Sequence, residues 1–590
     1  MPESPIDYSK LEEGRHVNYW ELDRTVQFEA RRTYPDADFE WAEPRLADFG
    51  AVVGNTIADN ADVIDKHGPE LHTFSKHGEV VNDVEYHPEQ AENERLAYGA
   101  GIVADSFEAP DERTSALGLT HNLTMDLLLS YADPGFTCPV AMTAGVALVL
   151  QKFGDGDTEQ FYEGLTSKDP EKLLEGAMFL TEKQGGSDVG ANATIAEEAE
   201  DGTYRLTGEK WFCSNIDAQA TLVLARRPDA PEGTKGLSLF LVPHRLDDGE
   251  LNDAVYRRLK DKLGTISVPT GEVEFHGATG YLIGKPESGF RYMTEMLNLE
   301  RLSNAFASVG VMGRCLLESK IHAANREAFG STIDEYPLMR RDLVDMAVDH
   351  EAAAAFAFEA ARQLDIRERS DGEKAEAAFK ALRVLTPIAK YKTGRMAVDT
   401  ASYACEVLGG NGYVEEFVTP RLLRDAQVLP IWEGTSNILS LDVLRGMARE
   451  QSHEGVIELV QGWLDDVDHT HLEGLKATVE SEFERLQAAL GTLATEDEDY
   501  AQLQAKRLAD YIFDVVTAAL LLSEAQWQLD EEGNARKALV AERFVETRFD
   551  TRPARGITSG SKFAIEHFDA IVRYGAVEPT ALVDAAPADD

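Results

Sequence analysis

The feature that most constrains this chain is a change of hydrophobic period. Up to about residue 176, apolar residues recur at helical spacing, as in Tyr19–Phe28, Glu94–Val103 and Asn122–Tyr131. Cys138–Leu150 is apolar on nearly every side, which predicts a buried helix with Pro139 in its first turn. Near residue 177 the texture becomes short β-rich runs: Tyr204–Thr207, Thr221–Ala225, Leu237–Val242 and Glu272–Phe275, separated by Gly, Pro and Asp. Helical spacing returns at Gly289–Leu297 and continues through Leu316–Glu327, Met339–Leu364 and Ala375–Val407. The last of these is rich in Ala, Lys and Arg, which suits long helices. The predicted fold class is therefore mainly α with an inserted β domain. The expected division is a helical domain over 1–176, a β domain over 177–285, a second helical domain over 286–450 and a C-terminal helical extension over 451–590. Glu496–Asp499 reads as a solvated loop and Ala585–Asp590 as a frayed tail.

The formal charge of -48, from 105 acidic and 57 basic residues, narrows the partners. Excess carboxylate repels nucleic acid and anionic membrane surfaces. It suits a protein working in concentrated salt, where screening acts over about 3 Å. The reading is a halophile's cytoplasmic enzyme. Four scattered cysteines, Cys138, Cys213, Cys315 and Cys405, show neither metal-ligand spacing nor a disulfide framework, so no metal is expected. The polar N-terminus lacks an apolar signal core, and no run of 18 apolar residues offers a membrane span.

Three stretches carry candidate chemistry. Ile431–Asn437 reads Ile-Trp-Glu-Gly-Thr-Ser-Asn and follows the Gly-rich turn Leu408–Tyr413. Glu433, beside Pro430, Ile431 and Trp432, is expected to be partly desolvated, which moves a carboxylate pKa towards the range of a general base. A Glu in a turn before a helix is, on its own, more often an ordinary surface residue. In Met178–Asp188, Gly185 and Gly186 permit close backbone approach, and Thr181 and Ser187 offer hydroxyls. Alone, that stretch is as well explained by a β-turn. The third stretch is Gly208–Asn215.

Taken together and in this order, the three stretches resemble the acyl-CoA dehydrogenase flavoproteins, over about residues 90–445. Thr181–Asp188, Arg258–Gly264 and Ile431–Gly434 followed by Leu441–Arg445 are similar to the AidB-like branch. The resemblance implies a helical domain, a β-barrel-like domain and a four-helix-bundle domain, with the extension that this branch carries. It implies FAD, bound by Met178, Phe179, Thr181, Gly186 and Ser187 and lying against Phe212, Cys213 and Ser214. Phe212 would supply an aromatic wall where many relatives have Trp. Arg326 and Phe329 match the Arg-x-x-Phe-Gly that reaches the pyrophosphate of a flavin held mainly by a neighbouring subunit. A planar guanidinium suits that task. Gly409 and Gly410 match glycines meeting the same cofactor. Glu406 stands where the family often has Gln, so that contact is not carried over. Thr435 and Asn437 match polar contacts after the catalytic Glu.

Glu433 matches the family's common base, and Arg301 a nearby Arg that would orient it. Glu300 is the rival, at the position some branched-chain members use; it is expected to face solvent or pair with a neighbour. Removing two hydrogens from a saturated acyl chain needs an acceptor that side chains do not supply, which agrees with a flavin. The implied partners are an acyl-CoA substrate, electron-transfer flavoprotein or another acceptor, and three further copies in a homotetramer. The leading reading is an FAD-dependent dehydrogenase of short or branched acyl-CoA. Its competitors are a DNA-associated protective flavoprotein with weak dehydrogenase activity, and a flavin-binding scaffold with little turnover.

Overall fold

A computed structural model describes residues 4–584, so the tail Ala585–Asp590 lies outside the described residues. The chain forms two compact units, one of residues 1–39 and 308–590, the other of residues 40–307.

The unit of residues 40–307 combines buried helices with a β barrel. Helix Leu119–Ser130 is buried along its whole length, as is nearly all of Thr137–Phe153, in agreement with the all-apolar pattern of Cys138–Leu150. Pro139 is the third residue of that helix, where no intrahelical donor is lost. The barrel strands are β3 (Gly176–Phe179), β4 (Ile195–Glu198), β5 (Tyr204–Ser214), β6 (Ala220–Arg226), β7 (Leu237–Pro243), β8 (Ala254–Leu259) and β9 (Thr270–Ile283). They are ordered β3-β6-β4-β5-β9-β7 with β8 on β9, and an added β6–β7 pairing closes the ring. Closure pairs β4, β5, β6, β7 and β9 on both sides and leaves only β3 and β8 with a free edge. β6 and β7, almost wholly buried, are the continuous apolar runs of the sequence.

The same unit contains an element that the helical reading of residues 1–176 did not foresee. Strands β1 (Glu70–Phe74) and β2 (Val80–Glu85) form an antiparallel hairpin. Thr73 Oγ1 donates to the Tyr256 carbonyl at 2.6 Å and Asn82 Nδ2 to the Ala254 carbonyl at 2.8 Å, which ties the hairpin to β8. Side-chain bonds from polar residues, not an apolar stripe, hold it, so hydrophobic periodicity could not announce it.

The other unit is helical. It contains α1 (Arg24–Thr33), the end of α2 (Gly289–Asn325), α3 (Pro337–Arg369), α4 (Gly372–Leu408), α5 (Ser436–Glu450), α6 (His453–Asp466), α7 (Glu473–Leu493), α8 (Glu498–Glu532) and α9 (Arg536–Arg548). Of the expected solvated loop Glu496–Asp499, all four residues are exposed and Glu496 and Asp497 lie outside any helix, whereas Glu498 and Asp499 begin α8. Asp497 caps α8 by accepting from the Tyr500 N–H at 2.9 Å, and Glu498 and Asp499 fill its first turn, where carboxylates suit the helix dipole.

A buried charge cluster locks the C-terminal extension to this unit. Lys537 of α9 lies 3.0 Å from Glu29 of α1, 3.2 Å from Glu351 of α3 and 2.8 Å from Glu524 of α8, and Arg536 also pairs with Glu351. Burial works against the Glu351 anion, but Arg536 and Lys537 outweigh it and bring its pKa down to about 2. Burial and the neighbouring Glu524 push the Glu29 pKa up, against the pull of Lys537 and Arg32, and Arg32 adds a third cation at 3.6 Å from Glu524.

Candidate functional site

The residues singled out in the sequence fall into two groups, one in each compact unit. In the barrel-containing unit, β3 runs parallel to β6, with Met178 opposite Leu222 and Phe179 opposite Val223. The chain then turns through Thr181–Ser187, where Gly186 and Ser187 are exposed and Thr181 is half-buried. A Cβ on Gly186 would lie 2.4 Å from Thr181 Oγ1, so a side chain there would have to displace that hydroxyl.

This turn is pinned by an ion pair that the sequence reading did not single out. Glu182 is 3% exposed and accepts from the Ala193 N–H at 2.6 Å, Thr194 Oγ1 at 2.6 Å and Lys210 Nζ at 2.9 Å. Burial disfavours its anion, but Lys210 and the donors prevail and bring the pKa down to about 2. Lys210 also donates to the Leu224 carbonyl at 3.0 Å, so one buried cation joins β5, β6 and the turn.

Strand alternation sorts the second motif. Phe212 is 56% exposed, Ser214 is half-buried, and Cys213 is fully buried on the opposite face. Cys213 can therefore offer a cofactor its backbone and not its thiol. Ser214 Oγ shares a 3.1 Å hydrogen bond with Thr270 Oγ1. Lys260 Nζ sits 3.6 Å from the Trp211 ring centroid and 4.9 Å from that of Phe212, and pairs with Glu272 at 2.7 Å. An exposed aromatic face, a hydroxyl and a nearby cation fit a flat, electron-accepting ring. On α2, Arg301 is half-buried, whereas Glu300 is only 6% exposed. Of the two expectations for Glu300, this burial excludes facing solvent and leaves pairing with a neighbour.

In the helical unit, Arg326 follows α2 and precedes a small hairpin of β10 (Glu327–Ala328) and β11 (Ser331–Thr332). Phe329 and Gly330 form its turn with φ of 55° and 97°. Phe329 is 99% exposed despite its left-handed backbone, and Arg326 is exposed with no carboxylate partner among the described residues. A free guanidinium in so acidic a chain fits a phosphate ligand. Gly409 ends α4 with φ 62°, and both Gly409 and Gly410 face open space.

Glu433 sits in the turn before α5, half-buried, with φ 55°, and Gly434 follows with φ 108°. Trp432 is half-buried and Ile431 exposed, which matches the partial desolvation read from the sequence. Two bonds to the Val428 carbonyl, from Ile431 N–H at 2.8 Å and Trp432 N–H at 3.2 Å, shape the turn. Lys390 of α4, fully buried, donates to the Gly434 carbonyl at 2.7 Å. Thr435 and Asn437 are both exposed at the start of α5, with Thr435 as its N-cap residue.

Comparison with known proteins matches three family domains along the chain. Residues 10–171 match the adaptive response protein AidB N-terminal domain, 177–278 the acyl-CoA dehydrogenase middle domain, and 287–448 the acyl-CoA dehydrogenase C-terminal domain. The chain is 34% identical to acyl-CoA dehydrogenase family member 11 of Caenorhabditis elegans, over 85% of this chain and 83% of that protein. It is 35% identical to the putative acyl-CoA dehydrogenase AidB of Escherichia coli, over 71% of this chain and 76% of that one. The solved structure of Caenorhabditis elegans ACDH-11 in complex with C11-CoA superposes with a TM-score of 0.82 at 29% identity, covering 94% of this chain and 97% of that one. The chain belongs to the acyl-CoA dehydrogenase family of FAD-dependent oxidoreductases acting on CH–CH bonds, and it carries the N-terminal domain of the AidB-like branch.

Proposed function

We propose that this chain dehydrogenates acyl-CoA thioesters, with Glu433 removing the proton α to the thioester carbonyl. One observation carries the reading. A glutamate is held at φ 55° beside half-buried Trp432, and the next carbonyl is bound by buried Lys390. A left-handed non-glycine residue costs about 1–2 kcal/mol and persists where its surroundings impose it, often at functional sites.

FAD, when bound, supplies the acceptor for the β-hydrogen and its electron pair. Phe212 would form one wall of its site. Thr181, Ser187 and Ser214 would give hydroxyls; Met178, Phe179, Gly186 and Cys213 would give backbone. Arg326 would meet the pyrophosphate beside Phe329, and Gly409, Gly410, Thr435 and Asn437 would complete the contacts. Arg301 would orient the base by its fixed charge. The nearly full exposure of Phe329 and Tyr413 supports a homotetramer in which neighbouring subunits cover them. We place the enzyme in the cytoplasm, passing electrons to electron-transfer flavoprotein or a similar acceptor; no helix among the described residues is long and apolar enough to cross a membrane.

The leading reading takes a short or branched substrate, and the C11-CoA complex of the Caenorhabditis elegans relative adds longer chains to the candidates. The test is a panel of acyl-CoAs from short and branched to medium chain, with a dye as electron acceptor. Yellow protein that releases FAD and reduces the dye with at least one thioester is the expected result. A protein that neither holds nor takes up FAD would sink the proposal.

A further inference from the structure

The C-terminal helices line a partly open cavity that the redox reading does not use. It measures about 690 Å³ and lies among α5, α6, α7 and α8. Leu441, Leu444 and Met447 recur every third residue along one side of α5; Ile457 of α6, Leu490 of α7 and Leu508 of α8 complete the apolar wall. Protein interiors hold few voids larger than a water molecule, whereas pockets for small molecules span about 300–1,000 Å³ and combine apolar walls with a few polar groups.

The polar groups are unevenly placed. Arg449 is exposed and has no carboxylate partner among the described residues, although the chain carries 105 acidic residues against 57 basic ones. Arg445, one turn earlier, is held by Asp442 at 3.3 Å. His453, next along the lining, has a buried Nδ1 with no hydrogen-bond partner. Glu498, on the α8 side, already accepts from Gln502 Nε2 at 3.0 Å. The open polar valences therefore lie at Arg449 and His453 and suit an anion.

Gly491 keeps the space clear. It sits in α7, where glycine costs about 1 kcal/mol relative to alanine, and a Cβ there would meet nothing within 4 Å. Nothing in the local packing demands glycine, and the position lines the cavity, where a bulky side chain has room.

We infer that this cavity binds a long-chain carboxylate, with its alkyl chain among Leu441, Leu444, Met447 and Leu490 and its head group at Arg449 and His453. The inference does not rest on the dehydrogenase assignment. The test is calorimetric titration of the full-length, FAD-loaded protein with dodecanoate, and with dodecanol as the uncharged control. Dodecanoate should bind saturably, and dodecanol at least ten-fold more weakly. Gly491→Phe, placed in open space, should raise the dodecanoate Kd at least ten-fold while leaving flavin reduction unchanged; Arg449→Glu should weaken dodecanoate but not dodecanol. The proposal fails if wild type shows no saturable binding, or if Gly491→Phe binds as wild type does. Equal binding of acid and alcohol would overturn the carboxylate assignment. A changed molar mass of Gly491→Phe by light scattering would make the cavity a contact between copies instead.

Discussion

Lys390 Nζ donates a 2.7 Å hydrogen bond to the carbonyl of Gly434, one residue beyond Glu433. The lysine is fully buried in α4, so its reach fixes the turn that presents the carboxylate. Without it, a partly buried carbonyl loses a charge-assisted partner, at a cost of about 1–3 kcal/mol. Lys390→Met should keep FAD and slow flavin reduction by acyl-CoA about 10- to 100-fold, since small misplacements of a reacting group cost that much. Glu433→Gln should abolish reduction while FAD stays bound, and Glu300→Gln should be milder. Stopped-flow bleaching of the flavin separates these cases. If Glu300→Gln is the dead variant, the base has been assigned to the wrong carboxylate.

Lys537 is the keystone of the buried cluster, within 3.2 Å of three carboxylates. Removing one partner of a buried set strands the others, typically at about 3–5 kcal/mol. Lys537→Met should therefore lower the unfolding free energy by about that amount, whereas Arg555→Met, on the surface, should change it by less than about 0.5 kcal/mol. Denaturant melts of both variants test the contrast. Equal stability of Lys537→Met and wild type would show that the cluster contributes nothing net.

Acid and base should act through different carboxylates. Glu351 and Glu182 have folded pKa values of about 2, below an unfolded carboxylate near 4.3. Depressed values contribute stability above the unfolded pKa, and that contribution disappears as pH falls from about 4.3 to about 2. Burial raises Asp126 to about 8, opposed only by its bond from Ser303. That group has the opposite sign: its contribution is complete below its unfolded pKa and declines as pH rises towards 8. Asp126→Asn keeps the shape and cannot ionise, so its melting temperature relative to wild type should improve from pH 5 to pH 8. A constant difference across that range would show that Asp126 does not titrate as described.

The alternation of periods made the barrel legible between helical blocks, because a strand or helix face records its burial locally. The same alternation sorts Phe212 and Ser214 from Cys213. Long-range polar partners leave no such trace. Glu182 and Lys210 are 28 residues apart, and Lys390 lies 44 residues before Gly434, with nothing in the local pattern to join either pair. The hairpin Glu70–Glu85 escaped notice for the same reason, since Asn82 and Thr73 hold it by side-chain hydrogen bonds. The type of Glu300 allows either solvent or a paired neighbour, and only its buried helix face decides between them.

Salt should stabilise the fold. The 105 acidic residues outnumber the 57 basic ones, and their repulsion is weakly screened at low ionic strength. The melting temperature should rise from low salt to molar potassium chloride. A flat profile would count against adaptation to concentrated salt.

The name of the Escherichia coli relative raises the question of DNA, and the ion pairs of the extension bear on it directly. Residues 451–590 contain 28 Asp and Glu and 12 Lys and Arg, a net of 12 − 28 = -16. Binding duplex DNA requires cations free to replace counterions along the phosphates. Most of the cations clustered in the sequence after residue 535 are already engaged. Arg536 and Lys537 are buried in the charge cluster. Arg543 pairs with Asp345 at 2.7 Å, Arg548 with Asp349 at 2.7 Å, Arg552 with Asp550 at 2.9 Å and Arg573 with Asp334 at 2.7 Å. Arg555 and Lys562 alone in this cluster lack a carboxylate partner among the described residues, and two cations make a weak electrostatic footprint. Breaking the other pairs to reach phosphate would leave Asp345, Asp349 and Asp334 facing an anion. We therefore expect no measurable binding to duplex DNA in molar salt, and only weak binding at low salt, by fluorescence anisotropy. Binding in molar salt that is lost when Arg548, Arg552 and Arg555 are changed together to Glu would overturn this and favour the DNA-associated reading.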